Sequence, residues 1–172
     1  MDESGSNKTY EVDGQGFSNL YSTTYDNADK TWSKAKKMDA LSSNFNDGVF
    51  SYSPKTKTAY IGQCSGEKGS LCRIMHSTYN INTESWSSPE PIEYEGKEIE
   101  MVHPSISKDG KRLYFVSRQV EESEGGSDIW YLEKEGIAWS APQKTEGINT
   151  PYDEAYPVLH NDSTLYFSSN GH

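Results

Sequence analysis

The sequence predicts an all-β chain built from four-stranded antiparallel blades of a β-propeller, about three blades in all. Three observations lead there. Trp-Ser recurs at Trp32 (WSKA), Trp86 (WSSP) and Trp139 (WSAP), spaced by 54 and 53 residues. A second landmark keeps step: Tyr60 in KTAYIG, Tyr114 in RLYFVS and Tyr166 in TLYFSS are spaced by 54 and 52 residues. Finally, no stretch of helix length is free of breakers, whereas short alternating segments of strand character start at Leu20, Ile74 and Ile129. A β-sandwich would lack the repeat.

In chain order, residues 1–15 are polar with several Gly and Ser and read as a flexible lead-in. Residues 16–172 read as the propeller repeats, in units near 17–63, 64–118 and 119–172. The third unit shows one strand pair: DEAYPVLH, a turn at Asn161-Asp162-Ser163, then TLYFSS. The middle unit gives HPSIS, the turn Lys108-Asp109-Gly110-Lys111, then RLYFVS, with Asp-Gly the preferred pair for a tight hairpin. After the Gly-rich loop SEGGSD (123–128) come DIWYLEK and the Trp strand IAWSAP. Blades packed face to face bury their inner strands on both sides, which suits Leu113, Phe115, Val116, Leu165 and Phe167. Trp32, Trp86 and Trp139 fall near an outer, edge-like strand expected to end at Ala35, Pro89 or Pro142, since Pro blocks further pairing. The repeated Trp and Tyr residues are therefore structural. Carbohydrate stacking is the functional alternative for the Trp residues, but an aromatic that recurs once per blade is a packing residue first.

Composition narrows the function. Only 33% of residues are hydrophobic, yet 12 Tyr and 4 Trp argue for packed strands rather than disorder. No apolar run approaches the roughly 18 residues of a membrane helix. Met1 is followed by DESGSNKTYEVDGQG, not by a basic-then-apolar leader. The expectation is a soluble chain with no direct membrane insertion, its signal peptide removed or never present. A net charge of −10 repels nucleic-acid phosphates and anionic lipid and leaves basic partners or cations. Cys64 and Cys72 bracket SGEKGSL, a Gly-rich turn between two strands. They form either a disulfide, which implies an oxidising compartment such as the periplasm, or two reduced thiols that are near neighbours. Zinc is disfavoured, because two further ligands at metal-binding spacing are missing.

The run GGSDIWYLEKEGIAWSAPQKTEGINTPYDEAYPVLHNDSTLYFSSNGH (125–172) resembles the WD40-like, TolB-type propeller repeat. It is similar in particular to the version in envelope proteins that also carry an OmpA-like peptidoglycan-binding domain, including the periplasmic component of the type IX secretion system. The likeness is strong over 100–172 and weaker before. SPKTKTAY (53–60) replaces the Asp-Gly turn, and Asn46-Asp47-Gly48-Val49-Phe50 stands where the later unit has YDEAYP (152–157). The resemblance implies a Gram-negative periplasmic module that holds other envelope proteins, with no catalytic residues. The strands expected amount to three blades' worth, while closed propellers usually need at least four. Two explanations stand: the chain belongs to a longer propeller, or two copies join as a homodimeric six-bladed ring with mixed blades.

The sequence contains no GxSxG, no phosphate loop and no HExxH pattern. His76, His103, His160 and His172 are scattered one per strand region, as surface or channel-rim residues are, so no metal and no cofactor is expected. Propeller glycosidases place acids about 5 to 10 Å apart at a funnel mouth. Asp47, Glu100, Asp153 and Glu154 start the innermost strands by register and become rim candidates, with His103. They also recur with the blade, as architectural residues do. The acidic loop Glu121-Glu122-Ser123-Glu124 is a solvated turn that, with Asp128, offers Ca²⁺ or a basic partner an alternative. The reading is a non-enzymatic protein-binding or scaffolding module of the bacterial cell envelope; its rival is a glycan-binding or glycoside-hydrolysing propeller.

Overall fold

The computed structural model describes residues 16–65, 71–95, 97, 99–120 and 123–172. The lead-in 1–15, and Glu121 and Glu122 of the acidic loop, lie outside the described residues. These form an all-β structure of small antiparallel sheets, and none of their segments is a helix able to cross a membrane.

An N-terminal hairpin consists of β1 (Tyr21–Ser22), β2 (Tyr25–Asp26), β3 (Thr31–Trp32) and β4 (Lys36–Lys37), with β1 on β4 and β2 on β3. The first full sheet runs β5 (Asn46–Ser53), β6 (Thr58–Ser65), β7 (Leu71–Asn80), and then β8 (Ser85–Trp86) and β9 (Glu90–Pro91) end to end along β7. The second repeats it as β10 (Val102–Ile106), β11 (Arg112–Ser117), β12 (Asp128–Glu135), β13 (Ala138–Trp139) and β14 (Gln143–Lys144). A final hairpin pairs β15 (Glu154–His160) with β16 (Thr164–Ser169). Each full sheet thus straddles the Trp-to-Tyr unit, taking its inner hairpin from one period and its outer hairpin from the next.

The outer strand does not stop at Ala35, Pro89 or Pro142. It breaks there and resumes pairing at Lys36, Glu90 and Gln143. The Ser after each Trp bridges the break. Ser87 donates its N–H to Thr78 O (2.9 Å), and its hydroxyl accepts from Thr78 N (3.1 Å). Ser33 does the same with Thr24 at 2.8 and 3.0 Å, and Ser140 with Glu133 at 2.8 and 3.0 Å. The hydroxyl takes an N–H that the interrupted ladder would leave bare, which is why Ser accompanies Trp in every repeat.

The innermost strand carries a second repeated irregularity. Its ladder shifts register between Gly48 and Phe50, between Val102 and Ser105, and between Ala155 and Val158. Within each bulge one non-glycine residue has positive φ: Val49 (23°), His103 (52°) and Tyr156 (53°). Such backbone is costly for bulky side chains and persists only where surrounding structure over-determines it.

Stacking of the sheets makes the core. On β6, Tyr60 faces the second sheet, whereas Ala59 and Ile61 point oppositely and pack with Leu41, Leu20, Met38 and Trp86 beside the N-terminal hairpin. The larger cluster lies between the two full sheets, where Tyr60 and Ile74 meet Leu113, Phe115, Trp130, Leu132 and Trp139. Burying each such side chain contributes about 1.5–3 kcal/mol. Repeated hydrogen bonds key the inner strands together: Ile106 N donates to Ser51 Oγ at 2.9 Å, and Leu159 N to Ser105 Oγ at 2.8 Å. The hairpin tips also interlock, through Ser53 Oγ to Lys108 O (2.8 Å) and Lys108 N to Asp162 Oδ1 (3.0 Å).

Gly110 sits at that interlock with φ 74°, and a Cβ there would lie 2.6 Å from Thr56 Cγ2. Gly136, at φ 68°, has open space around it. Both Gly→Ala variants should lose about 1–2 kcal/mol to left-handed backbone. Gly110→Ala should lose a further 1–3 kcal/mol or so to overpacking. Urea denaturation of the two variants side by side measures the difference.

Candidate functional site

The cleft between the second sheet and the final hairpin gathers three of the candidate residues. Its volume is about 310 Å³, and Glu100, His103, Arg118, Ser127, Asp153 and Tyr156 are among its lining residues. The repeated bulge shapes it. Because His103 and Tyr156 occupy the same left-handed position on neighbouring strands, their rings turn toward each other, with centroids 4.0 Å apart and planes 23° from parallel. Tyr156 N donates to His103 Nδ1 at 3.4 Å. Burial lowers the His103 pKa, and the acceptor role of Nδ1 suits the neutral ring.

Asp153 accepts from Ser127 N at 3.0 Å and pairs loosely with Arg118 Nη2 at 3.5 Å, while Arg118 Nε donates to Ser127 Oγ at 2.7 Å. Hydrogen bonds from Ser127, more than the Arg118 charge, hold the Asp153 carboxyl below its ordinary range. The Arg118–Asp153 pair is mostly solvated and contributes little to stability. Glu100 is half-buried, and its backbone N donates to Gln119 Oε1 at 3.3 Å.

Glu154 and Asp47 do not line the cleft. Glu154 is fully buried and accepts from Thr150 N (2.9 Å), Thr150 Oγ1 (2.7 Å) and Ser169 Oγ (2.7 Å). Asp47 is buried in the same way, accepting from Ser43 N (2.7 Å), Ser43 Oγ (2.8 Å) and Gln63 Nε2 (3.1 Å). In both, the carboxylate clamps the residue four places earlier and so fixes the loop entering the inner strand. At Glu154 burial pushes the pKa up, but the hydrogen bonds from Ser169 and Thr150 outweigh it and the net shift is downward. A general acid needs the opposite shift.

The remaining candidates are dispersed. His76 is half-buried with its pKa lowered by burial, His160 lies against Tyr166, and His172 lies against Phe167. Among the described residues no three His, Cys, Asp or Glu side chains group as a metal site requires. In the acidic loop, Ser123 and Glu124 N cap Asp128, and Glu124 pairs with Lys144. Cys64 and Cys72 face each other on β6 and β7 and are disulfide-bonded. At the same register in the second sheet stand Arg118 and Ser127, so one cross-strand fastening recurs in two chemistries.

Arg118, Ser127 and Tyr156 are the cleft residues that sequence reasoning missed. Their signal was positional: Tyr156 lies one repeat from His103, and Arg118 and Ser127 one repeat from the two cysteines. No protein-family model matches the chain, and no curated protein matches it.

Two outcomes test this geometry. Because the folded pKa of Glu154 is depressed, its stabilisation should be complete above its ordinary value near 4.5 and be lost as pH falls through the lower folded value. Glu154→Gln should cost about 1–3 kcal/mol at pH 7 and flatten the acid limb of a stability–pH curve measured by thermal unfolding. Reduction, or Cys64→Ser with Cys72→Ser, opens a link across 8 residues of sequence and should cost about 2–3 kcal/mol by denaturant titration.

Proposed function

We propose that this chain is a run of β-propeller blades acting as a non-enzymatic scaffold that holds partner proteins in the periplasm of a Gram-negative envelope. One observation carries the reading. Of the four carboxylates that a propeller glycosidase would converge on its funnel, three are held by hydrogen bonds of the frame, Asp47 and Glu154 clamping their own loops and Asp153 accepting from Ser127, which leaves Glu100 without the second acid that the chemistry needs. Further support comes from the repeated sheets, keyed by the same Ser-to-backbone bond at each step, which is how a propeller would stack its blades. The disulfide fits an oxidising compartment. A net charge of −10 favours partners with basic surfaces over nucleic acid.

A glycan-binding reading has one observation in its favour: the exposed Tyr156, stacked on His103 beside Asp153 and Arg118, offers a flat aromatic surface at the mouth of a polar cleft. One experiment separates the two. A photocrosslinking residue placed at Tyr156 should give a protein adduct in envelope preparations, and one placed at the solvent-exposed Ile137 should not. A panel of aryl glycosides and peptides should show no turnover. Hydrolysis abolished by Asp153→Asn would overturn the scaffold reading, and saturable oligosaccharide binding lost in Tyr156→Ala would favour the glycan reading.

A further inference from the structure

At the bulge where β10 and β15 meet, a titratable side chain stands where a backbone or hydroxyl acceptor would serve elsewhere. Tyr156 lies in the register shift of β15, between Ala155 and Val158, so its N–H has no place in the β15–β16 ladder. Its acceptor is His103 Nδ1 at 3.4 Å, and the His103 ring lies nearly flat on the Tyr156 ring, with centroids 4.0 Å apart. Only the neutral imidazole has a lone pair on a ring nitrogen. The imidazolium carries a proton on both nitrogens and accepts nothing.

On either side of this bond β15 is tied to the second sheet by groups that do not titrate where histidine does. Glu154 N donates to Ser127 O at 2.7 Å, and Leu159 N donates to Ser105 Oγ at 2.8 Å. Residues 155–158 are thus a short span fixed at both ends, and its left-handed residue, Tyr156 at φ 53°, is held through His103. One repeat earlier the equivalent position is Val49, whose side chain offers β10 no acceptor. The titrating bond therefore belongs to this cleft and not to the stacking of the sheets.

We infer that His103 is a proton-operated latch on the cleft: neutral, it holds the Tyr156 peptide and ring against the second sheet; protonated, it releases them and lets the span 155–158 swing while the sheets stay stacked. What the latch regulates rests on the reading that this cleft holds a partner; the latch itself does not. Among the groups around the ring, Glu100 before β10 and Asp153 before β15 attract an imidazolium, and Arg118 after β11 opposes it. Glu154 on β15 and Asp47 on β5 are enclosed in their own hydrogen bonds. From the first sheet β6 and β7 present Gly62 and Ile74, with Tyr60 and His76 next along the same faces. Burial dominates, so the His103 pKa falls below its ordinary 6.5. With the folded value lowered, the bond is fully made above pH 6.5 and is lost as pH falls through the lower value. Glu100, half-buried on the same cleft, is then available as an acceptor for the protonated ring.

NMR of the 172-residue chain from neutral pH to about pH 5 tests the latch. Asp153 and Glu154, both held below their ordinary values, keep their charge over that range. The His103 ring should titrate with a midpoint below 6.5, starting from the form protonated at Nε2. Across that midpoint the protection of the Tyr156 amide against hydrogen exchange, corrected for the intrinsic rate, should fall about tenfold. The amides of Glu154 and Leu159 should keep theirs. In His103→Gln the Tyr156 amide should show one protection value over the whole range. Protection at Tyr156 that is unchanged while His103 titrates would overturn the inference, as would a ring that stays neutral to pH 5 or whose neutral form is protonated at Nδ1. So would a fall at Tyr156 that persists in His103→Gln, or one shared by Leu159, in which case the hairpin moves as a whole. No partner enters these measurements, so the absence of a crosslink at Tyr156 counts against the scaffold reading alone.

Discussion

Tyr60 in the second strand of the first full sheet packs edge-on against Trp139 in the outer strand of the next, and the two full sheets are joined around that contact. The sheets are amphipathic on both faces. β6 sends Tyr60 one way and Ala59 with Ile61 the other, and β11 buries Leu113 and Phe115 on one side and Val116 on the other. A sheet with two apolar faces cannot stop at one neighbour. The aromatic pair supplies area and edge-to-face geometry, whereas the smaller residues set the spacing.

Stacking of this kind requires every unit to have the same shape, and the shape is held where the ladders fail. The outer strand breaks after each Trp and a Ser hydroxyl takes the stranded N–H. The inner strand bulges and has no strand on its far edge, and there Ser51 and Ser105 accept the N–H of the next strand along. Each such bond contributes about 1 kcal/mol; at the part-buried donors Ile106, Leu159 and Glu133, removing the acceptor would leave the N–H unpaired at a cost of about 1–3 kcal/mol, whereas water can replace the hydroxyl at the exposed Thr24 and Thr78. The asymmetry explains why Ser51, Ser105 and Ser140 stand where packing alone would admit Ala.

The period, the hairpins and the aromatic landmarks were legible because each rests on local pattern: alternation, turn residues and bulky side chains at fixed spacing. Turn chemistry was legible too, since Asp109-Gly110 and Asn161-Asp162 both adopt positive φ at one or both positions. The bulge at Val49, His103 and Tyr156 was not. Nothing local favours left-handed backbone at these side chains, and for His103 and Tyr156 the following Pro argues for extended backbone; the neighbouring sheet imposes the conformation. The acids were legible as recurring but not as spent. Asp47 and Glu154 face loops that tertiary structure folds back on them, and only the positions of Ser43 and Thr150 separate a clamp from a rim carboxylate.

The cleft illustrates how a repeated frame acquires a local chemistry. The ladder ends that border the inner strands are fastened by a disulfide at Cys64–Cys72 and by a hydrogen bond at Arg118–Ser127. Both hold two strands together, but only the second leaves a cation and a hydroxyl beside Asp153. Likewise the bulge presents Val49 in one sheet, His103 in the next and Tyr156 in the last, on the same backbone. The fold constrains where these side chains point and leaves their identity free, because the strain is borne by the backbone and its partners. The side chain at this bulge can therefore vary from Val to His to Tyr without altering the Tyr60–Trp139 contact between the two full sheets.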